Sequence, residues 1–481
     1  MISQDLMAPI MFGGLIVFLL IGYPAAFSLG AVGLFFSFIG IEMGMFQPTF
    51  LQALPDRVFG ILSNDLLLSI PFFTFMGAIL EKCGLAEDML EGLGQLFGPV
   101  RGGLAYAVII VGAILGAITG TVAASVIAMG LISLPIMLRY GYNPRVATGV
   151  IAASGTITQL IPPSLVLIVL ADQLGKSVGD MYAGAIGPSI IQIILFCLFI
   201  FFLSIFRPQD VPALPPEARP KIDWKLFKKI LWGIVPSIAL IFLVLGTILM
   251  GLATPTEGGA MGSVGALVLA AMNGRLQKPL VWDAMTSTMR INAMVIFILI
   301  GSTVFGLAFR GVDGDLWIEH LLSGLPGGQV GFLIVVNLFV FFLAFFLDYF
   351  EIAFIIIPLL APVAQKLGID LIWFGVLLGA NMQTSFMHPP FGFALFYLRG
   401  VAPKSVKSSD IYYGALPWVG LQLILVAIII FVPETVTYFI DKPAIAVDAN
   451  AISVDPLAGV EQNEITVDSS SEIERQLREN K

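Results

Sequence analysis

"TITQLIPPSLVL", residues 156–167, interrupts an apolar run with two threonines, a glutamine and the adjacent prolines Pro162 and Pro163. Proline has no N–H to give and clashes with the preceding turn, so no continuous α-helix passes through such a pair. The flanks are otherwise almost wholly apolar, as a membrane span requires. The segment therefore reads as a helix broken inside a bilayer. Unwound backbone at that depth is tolerated only where protein buries it or where it lines a cavity.

The rest of the chain agrees with a membrane setting. Of its 481 residues 58% are hydrophobic and 12% charged, against about 25% charged in soluble domains. Runs long enough to cross a bilayer recur, and they do not alternate as barrel strands would. The N-terminus lacks a basic leader region, so its first apolar run reads as a retained helix. Cys83 and Cys197, far apart in sequence, read as packing or interfacial residues rather than a disulfide pair, and no zinc spacing occurs. From Glu434 onward there are ten acidic and four basic residues. That Ser/Asp/Glu-rich tail, 434–481, is expected to be disordered. No basic patch offers a nucleic-acid surface.

The broken stretch has a twin. "QTSFMHPPFGFALF", residues 383–396, carries Pro389 and Pro390 in a similar setting. Residues 135–163 align without a gap on 362–390, at a constant offset of 227 (362 − 135 = 390 − 163). Further matches flank the block at slightly different offsets: "GAVG" at 30–33 with "GSVG" at 262–265, and "DMYAGA" at 180–185 with "DIYYGA" at 410–415. Ordered matches along both halves indicate an internal duplication, a mark of secondary transporters.

Each half reads alike. Spanning runs lie near 8–22, 24–40, 57–82, 143–170 and 182–206, then near 229–250, 255–273, 286–309, 370–398 and 411–433. Each half also has an amphipathic piece, 84–97 or 313–325, expected to lie along the membrane surface. A longer apolar stretch with a polar middle follows, 104–138 or 331–365. The basic loop 207–229 carries Arg207, Arg219, Lys221, Lys225, Lys228 and Lys229, which places it in the cytoplasm. If the two long stretches are re-entrant hairpins, each half crosses five times and the halves are inverted. Most basic residues then fall inside and the acidic tail outside; Arg57, Lys176, Arg310 and Lys366 are exceptions. The expected fold is an all-α polytopic membrane protein. Its inverted repeats, 1–206 and 230–433, each hold five transmembrane helices and one re-entrant hairpin, and a cytoplasmic linker over 207–229 joins them.

Polar residues inside the membrane gather at four places: Thr119-Gly120-Thr121, residues 154–159, residues 347–351, and residues 381–388. Broken helices free carbonyl oxygens, which suit Na⁺, and half-helix N-termini suit an anion. The cation is expected at the hairpin tips and breaks. The anionic substrate is expected around Thr158, Gln159, Pro162, Pro163, Gln383, Ser385, His388, Pro389 and Pro390. Asp348 is the most pointed of these polar residues, because an acid among Phe and Leu in a bilayer is costly. It reads as a cation or proton ligand, with a salt bridge or helix cap as the plainer role. Glu351 assists it or caps the second hairpin helix. Glu257 reads as a helix cap or an interfacial residue. His388 binds a carboxylate, senses pH, or is a hydrogen-bonded structural histidine. Enzyme signatures such as HExxH or a placed GxSxG do not occur.

At these residues the sequence resembles the large membrane subunit of TRAP transporters, the tripartite ATP-independent periplasmic systems. The likeness rests on "SIPFFTFMG" (69–77), "SGTITQLIPPS" (154–164), "ATPTEGGAMG" (253–262), "FFLDYFEIAFIIIPLLAPVAQKLGID" (345–370) and "HPPFGFALFYLRGVAP" (388–403). It implies a scaffold domain and a transport domain moving as an elevator, in a bacterial inner membrane. It further implies a small four-helix membrane partner, a periplasmic substrate-binding protein, and uptake of a carboxylate driven by sodium. Carried over by motif, Thr119, Gly120 and Thr121 would pair with Ser154, Gly155 and Thr156 around one sodium. Asp348 and Asn381 would serve another. The chain departs from the family pattern in having His388 before the second proline pair, where Thr is common, and "DYFEI" at the second tip. The competing readings are a stand-alone sodium-coupled anion symporter of the same superfamily and a membrane enzyme acting on a lipid.

Overall fold

Helices end where the sequence supplies proline, glycine or small polar residues. The computed structural model describes residues 4–218 and 224–440. The acidic tail over 441–481 and part of the basic loop, with Arg219 and Lys221, lie outside the described residues. The first half holds α1 (Gln4–Ile21), α2 (Ala25–Glu42), α3 (Leu54–Leu62), α4 (Ser69–Lys82), α5 (Leu85–Leu96), α6 (Gly103–Thr119), α7 (Val122–Arg139), α8 (Pro144–Thr156), α9 (Leu165–Leu174) and α10 (Val178–Phe206). The second holds α11 (Trp224–Ile241), α12 (Pro255–Met272), α13 (Lys278–Gly311), α14 (Gly314–Ser323), α15 (Gly328–Leu343), α16 (Tyr349–Lys366), α17 (Leu371–Met382), α18 (Phe393–Val401) and α19 (Ser408–Phe431).

Seven helices among the described residues are long and apolar enough to cross a bilayer, and two bent pairs bring the number to nine. The chain is an all-helical, multi-pass membrane protein. Its outward surface shows why: α10 turns Ile190, Ile194, Leu198, Phe201 and Phe202 outward. Water would oppose exposing such area by about 25 cal/mol per Å². At the other extreme, every residue of α17 is buried, as are Ala147 to Thr156 of α8. The two broken helices lie in the core, while α10 lies at the rim.

The two halves of the chain do not form separate bodies; the described residues belong to one compact unit. Helix α2 lies along α13, α4 along α12, α8 along α19, and α9 along α17. Both α8 and α17 start on a side-chain cap. Asn143 accepts from the Arg145 N–H at 3.0 Å, and Asp370 accepts from the N–H groups of Ile372 and Trp373, each at 2.8 Å. These caps meet N–H groups that no intrahelical carbonyl can reach.

The run 57–82 is not one helix. It breaks between α3 and α4, where the Asn64 side chain accepts from the Leu66 N–H at 2.9 Å and holds a turn. The amphipathic pieces do leave the line of their neighbours. Helix α5 departs from α4 by 60°, and α14 meets α15 at 118°. Glu257 takes the capping role: its carboxylate accepts from the Thr254 N–H at 2.8 Å while its own N–H donates to Thr254 Oγ1 at 3.2 Å.

Candidate functional site

Two helix breaks lie at the centre of the molecule. Helix α8 stops at Thr156, passes through a tight turn at Ile157–Gln159, and resumes as α9 at Leu165. Helix α17 stops at Met382, tightens over Gln383–Met387, and resumes as α18 at Phe393. Both proline pairs, Pro162–Pro163 and Pro389–Pro390, are cis.

The hairpin of α6 and α7 lies against the first break. Its tip turns at Gly120, whose φ of 63° is left-handed and suits glycine. Thr121 is extended and starts α7. The Thr119 hydroxyl stands 3.0 Å from Ser125 Oγ, and Thr158 Oγ1, which donates to Gly155 O at 2.7 Å, lies 3.3 Å from the same Ser125 Oγ. Ser125 thus ties the hairpin to the break. Close approach depends on small residues: a Cβ at Gly112 would fall 2.6 Å from the Ser154 Cβ, and one at Gly155 would fall 2.2 Å from the Val126 side chain. Helix α4 approaches from the other side. A Cβ at Gly77 would sit 1.9 Å from the Thr119 carbonyl oxygen.

Among the described residues Thr156 makes no side-chain hydrogen bond to this cluster. Its hydroxyl donates to Ala153 O at 2.9 Å, lies 3.6 Å from Met387 Sδ, and accepts from Gln422 Nε2 at 3.0 Å. It thus links the first break to the second half of the chain. Gln383, in the second break, faces the first half: Gln192 Nε2 donates to its Oε1 at 2.7 Å, and Gln383 Nε2 answers to Gln192 Oε1 at 3.4 Å.

The second hairpin, α15 and α16, is built differently. Asp348 is the N-cap of α16. Its Oδ1 accepts from the Glu351 N–H at 2.9 Å, and Glu351 returns a carboxylate oxygen to the Asp348 N–H at 3.1 Å. Both acids therefore cap the helix, and Asp348 remains half-buried. Asn381 donates to Asn337 O at 2.7 Å and to Asn337 Oδ1 at 3.0 Å. Among the described residues no hydrogen bond joins Asp348 to Asn381. Helix α16 carries a π-turn at Ile352–Ile356 just before Pro358. Pro358 has no N–H for the Phe354 carbonyl four residues back, and the Ser302 hydroxyl of α13 donates to that carbonyl.

Aromatic rings hold His388. It stacks on Phe345 at 4.0 Å and meets Phe341 edge-on at 4.4 Å. Among the described residues neither ring nitrogen meets a partner at hydrogen-bond geometry, and the Ala344 backbone lies beside the ring. His388 is thus packed between two rings beside the Ala344 backbone.

Among the described residues several buried oxygens have no hydrogen-bond partner, including Ser154 Oγ, Gln159 Oε1, Asn381 Oδ1, Ser385 Oγ and Gln422 Oε1. Such atoms are costly to leave unmet in a core. Among the described residues no three His, Cys, Asp or Glu side chains gather as a metal centre. The side-chain oxygens at the two breaks are hydroxyls and amides, and the second hairpin tip adds the carboxylates of Asp348 and Glu351. Arg290, Arg310 and Arg399 are all exposed.

A family model described as the tripartite ATP-independent periplasmic transporter, DctM component, matches residues 12–435. The chain belongs to this family. The family is one of transporter permeases. The chain is 29% identical over 448 residues to the C4-dicarboxylate TRAP transporter large permease protein DctM of Rhodobacter capsulatus, covering 89% of this chain and 97% of that one. It is 26% identical over 432 residues to the isethionate TRAP transporter permease protein DctMQ of Oleidesulfovibrio alaskensis, covering 90% of this chain and 66% of that longer protein. Its fold is similar to the crystal structure of the Alcanivorax borkumensis YdaH transporter, with a TM-score of 0.56 at 16% identity over 79% of this chain and 86% of that one.

Sequence reasoning missed four polar residues of this DctM-family permease: Ser125, Asn337, Gln192 and Gln422. Two had a readable signal. Gln192 and Gln422 are lone amides in apolar helices, and they stand at the offset of the flanking motifs (410 − 180 = 422 − 192). Ser125 and Asn337 carried no comparable mark, because serine and asparagine in membrane helices often serve packing.

Proposed function

We propose that this permease drives sodium-coupled uptake of a small organic anion, a carboxylate, by an elevator-type alternating-access movement. The observation that carries the proposal is the set of buried, unpartnered oxygens at the two breaks, Ser154, Gln159, Asn381 and Ser385. Hard cations take such oxygens, and half-helix ends favour an anion beside them. The named substrates of relatives are acids: C4-dicarboxylate, isethionate and, for the permease SiaT of Haemophilus influenzae, sialic acid.

In this reading the two halves are inverted repeats, and each contributes a re-entrant hairpin and a broken helix. Thr119, Gly120, Thr121, Ser154, Gly155 and Thr156 serve one sodium, and Asp348 with Asn381 another. Thr158, Gln159, Pro162, Pro163, Gln383, Ser385, His388, Pro389 and Pro390 surround the substrate. A small four-helix membrane subunit and a periplasmic substrate-binding protein complete the system in the bacterial inner membrane. The name of the longer relative, DctMQ, supports a small subunit associated with the large one.

The test is reconstitution of both membrane subunits in vesicles. Uptake should require the binding protein and an inward sodium gradient together. Uptake at an unchanged rate in sodium-free buffer overturns the proposal.

A further inference from the structure

Gln192 on α10 and Gln422 on α19 are fully buried, and each reaches across to the helix break of the other half. The residues they touch are also related: Thr156 and Gln383 stand 227 apart, the offset of the aligned block (383 − 156 = 362 − 135). The two clasps are chemically unequal. Gln192 and Gln383 close on each other through two amide hydrogen bonds, which leaves neither side chain with an unmet acceptor. Gln422 instead donates to a hydroxyl, and its own Oε1 is left buried without a partner.

We infer that Gln422 is a positioning residue for Thr156, fixing its hydroxyl so that the oxygen keeps one lone pair for the driving cation, while Gln192 is a structural clasp. A hydroxyl oxygen has two lone pairs and one proton. Here the proton goes to Ala153 O at 2.9 Å and one lone pair takes the Gln422 N–H at 3.0 Å, with Met387 Sδ packed at 3.6 Å. With the proton and one lone pair so engaged, one lone pair of Thr156 Oγ1 is left over. The inference rests on Thr156 serving the sodium.

The experiment uses the complete transport system in vesicles and measures the half-saturating sodium and the half-saturating substrate concentrations separately. Gln422→Met keeps the length of the side chain and removes the donor. It should raise the half-saturating sodium roughly fivefold, the scale of one lost hydrogen bond, with little change for substrate at saturating sodium. Thr156→Val should move the same quantity at least as far, and adding Gln422→Met to it should add little, since both act through one hydroxyl. Gln192→Met should lower thermal stability without moving sodium dependence. If Thr156→Val shifts sodium dependence and Gln422→Met does not, the positioning role is wrong and the sodium reading stands. If neither shifts it, the sodium reading at Thr156 fails and takes the positioning role with it. Should Gln422→Met not assemble, Gln422→Leu serves in its place, and wild-type sodium dependence in that chain overturns the inference.

Discussion

Ser125 Oγ lies 3.0 Å from Thr119 Oγ1 and 3.3 Å from Thr158 Oγ1, so one hydroxyl joins the first hairpin tip to the first helix break. All three side chains are buried. Ser125→Ala should leave both threonines without their shared partner, at a cost of about 1 kcal/mol in unfolding free energy. It should also lower sodium-driven uptake several-fold, because tip and break no longer hold one geometry. Unfolding measured in detergent, beside uptake in vesicles, checks both. Wild-type values in the two measurements would show that the bridge is idle.

Gly77 meets the same tip from α4. An alanine there would put Cβ 1.9 Å from the Thr119 carbonyl oxygen, a backbone atom that cannot swing aside. Gly77→Ala should cost about 2–3 kcal/mol or more, by overpacking. The expected outcome is poor assembly in size-exclusion chromatography, or loss of uptake in whatever assembles. Normal assembly with full uptake would mean that α4 is not seated against the tip as described.

Asp348 combines a capping role with a proposed ligand role, and one pair of variants separates them. Asparagine is as good an N-cap as aspartate, while alanine is not. Asp348→Asn should keep unfolding free energy within about 0.5 kcal/mol of wild type and abolish sodium-driven uptake. Asp348→Ala should lose uptake and about 1 kcal/mol of stability as well. Full uptake by Asp348→Asn would leave only the cap.

Ser302 stands in for the N–H that Pro358 lacks, donating to the Phe354 carbonyl of the π-turn. Ser302→Ala should destabilise the protein by about 1–2 kcal/mol, the cost of an unmet buried carbonyl. Adding Pro358→Ala restores an N–H four residues on and should recover part of that loss. A Ser302→Ala chain that unfolds like wild type would remove the link between α13 and the second hairpin.

The legible part of the site follows from what proline and charge do in a bilayer. Pro162–Pro163 and Pro389–Pro390 forbid continuous helix wherever the chain folds, so both breaks could be located before any contact was known. The cap at Glu351 was readable as one of two roles, because an acid three residues after Asp348 fits a capping box. The break within 57–82 is not legible from hydropathy, which averages over Asn64, whose side chain makes a turn through one hydrogen bond.

What the sequence by itself determined was the class, the family and the position of each break, since these depend on composition, periodicity and backbone chemistry that act locally. Which polar atoms meet was decided only by the tertiary structure. Thr156 sits two residues from Thr158, yet one turns to Gln422 and the other to Ser125. A hydrogen bond spanning 266 residues depends on how α8 packs on α19, and no local rule carries that information.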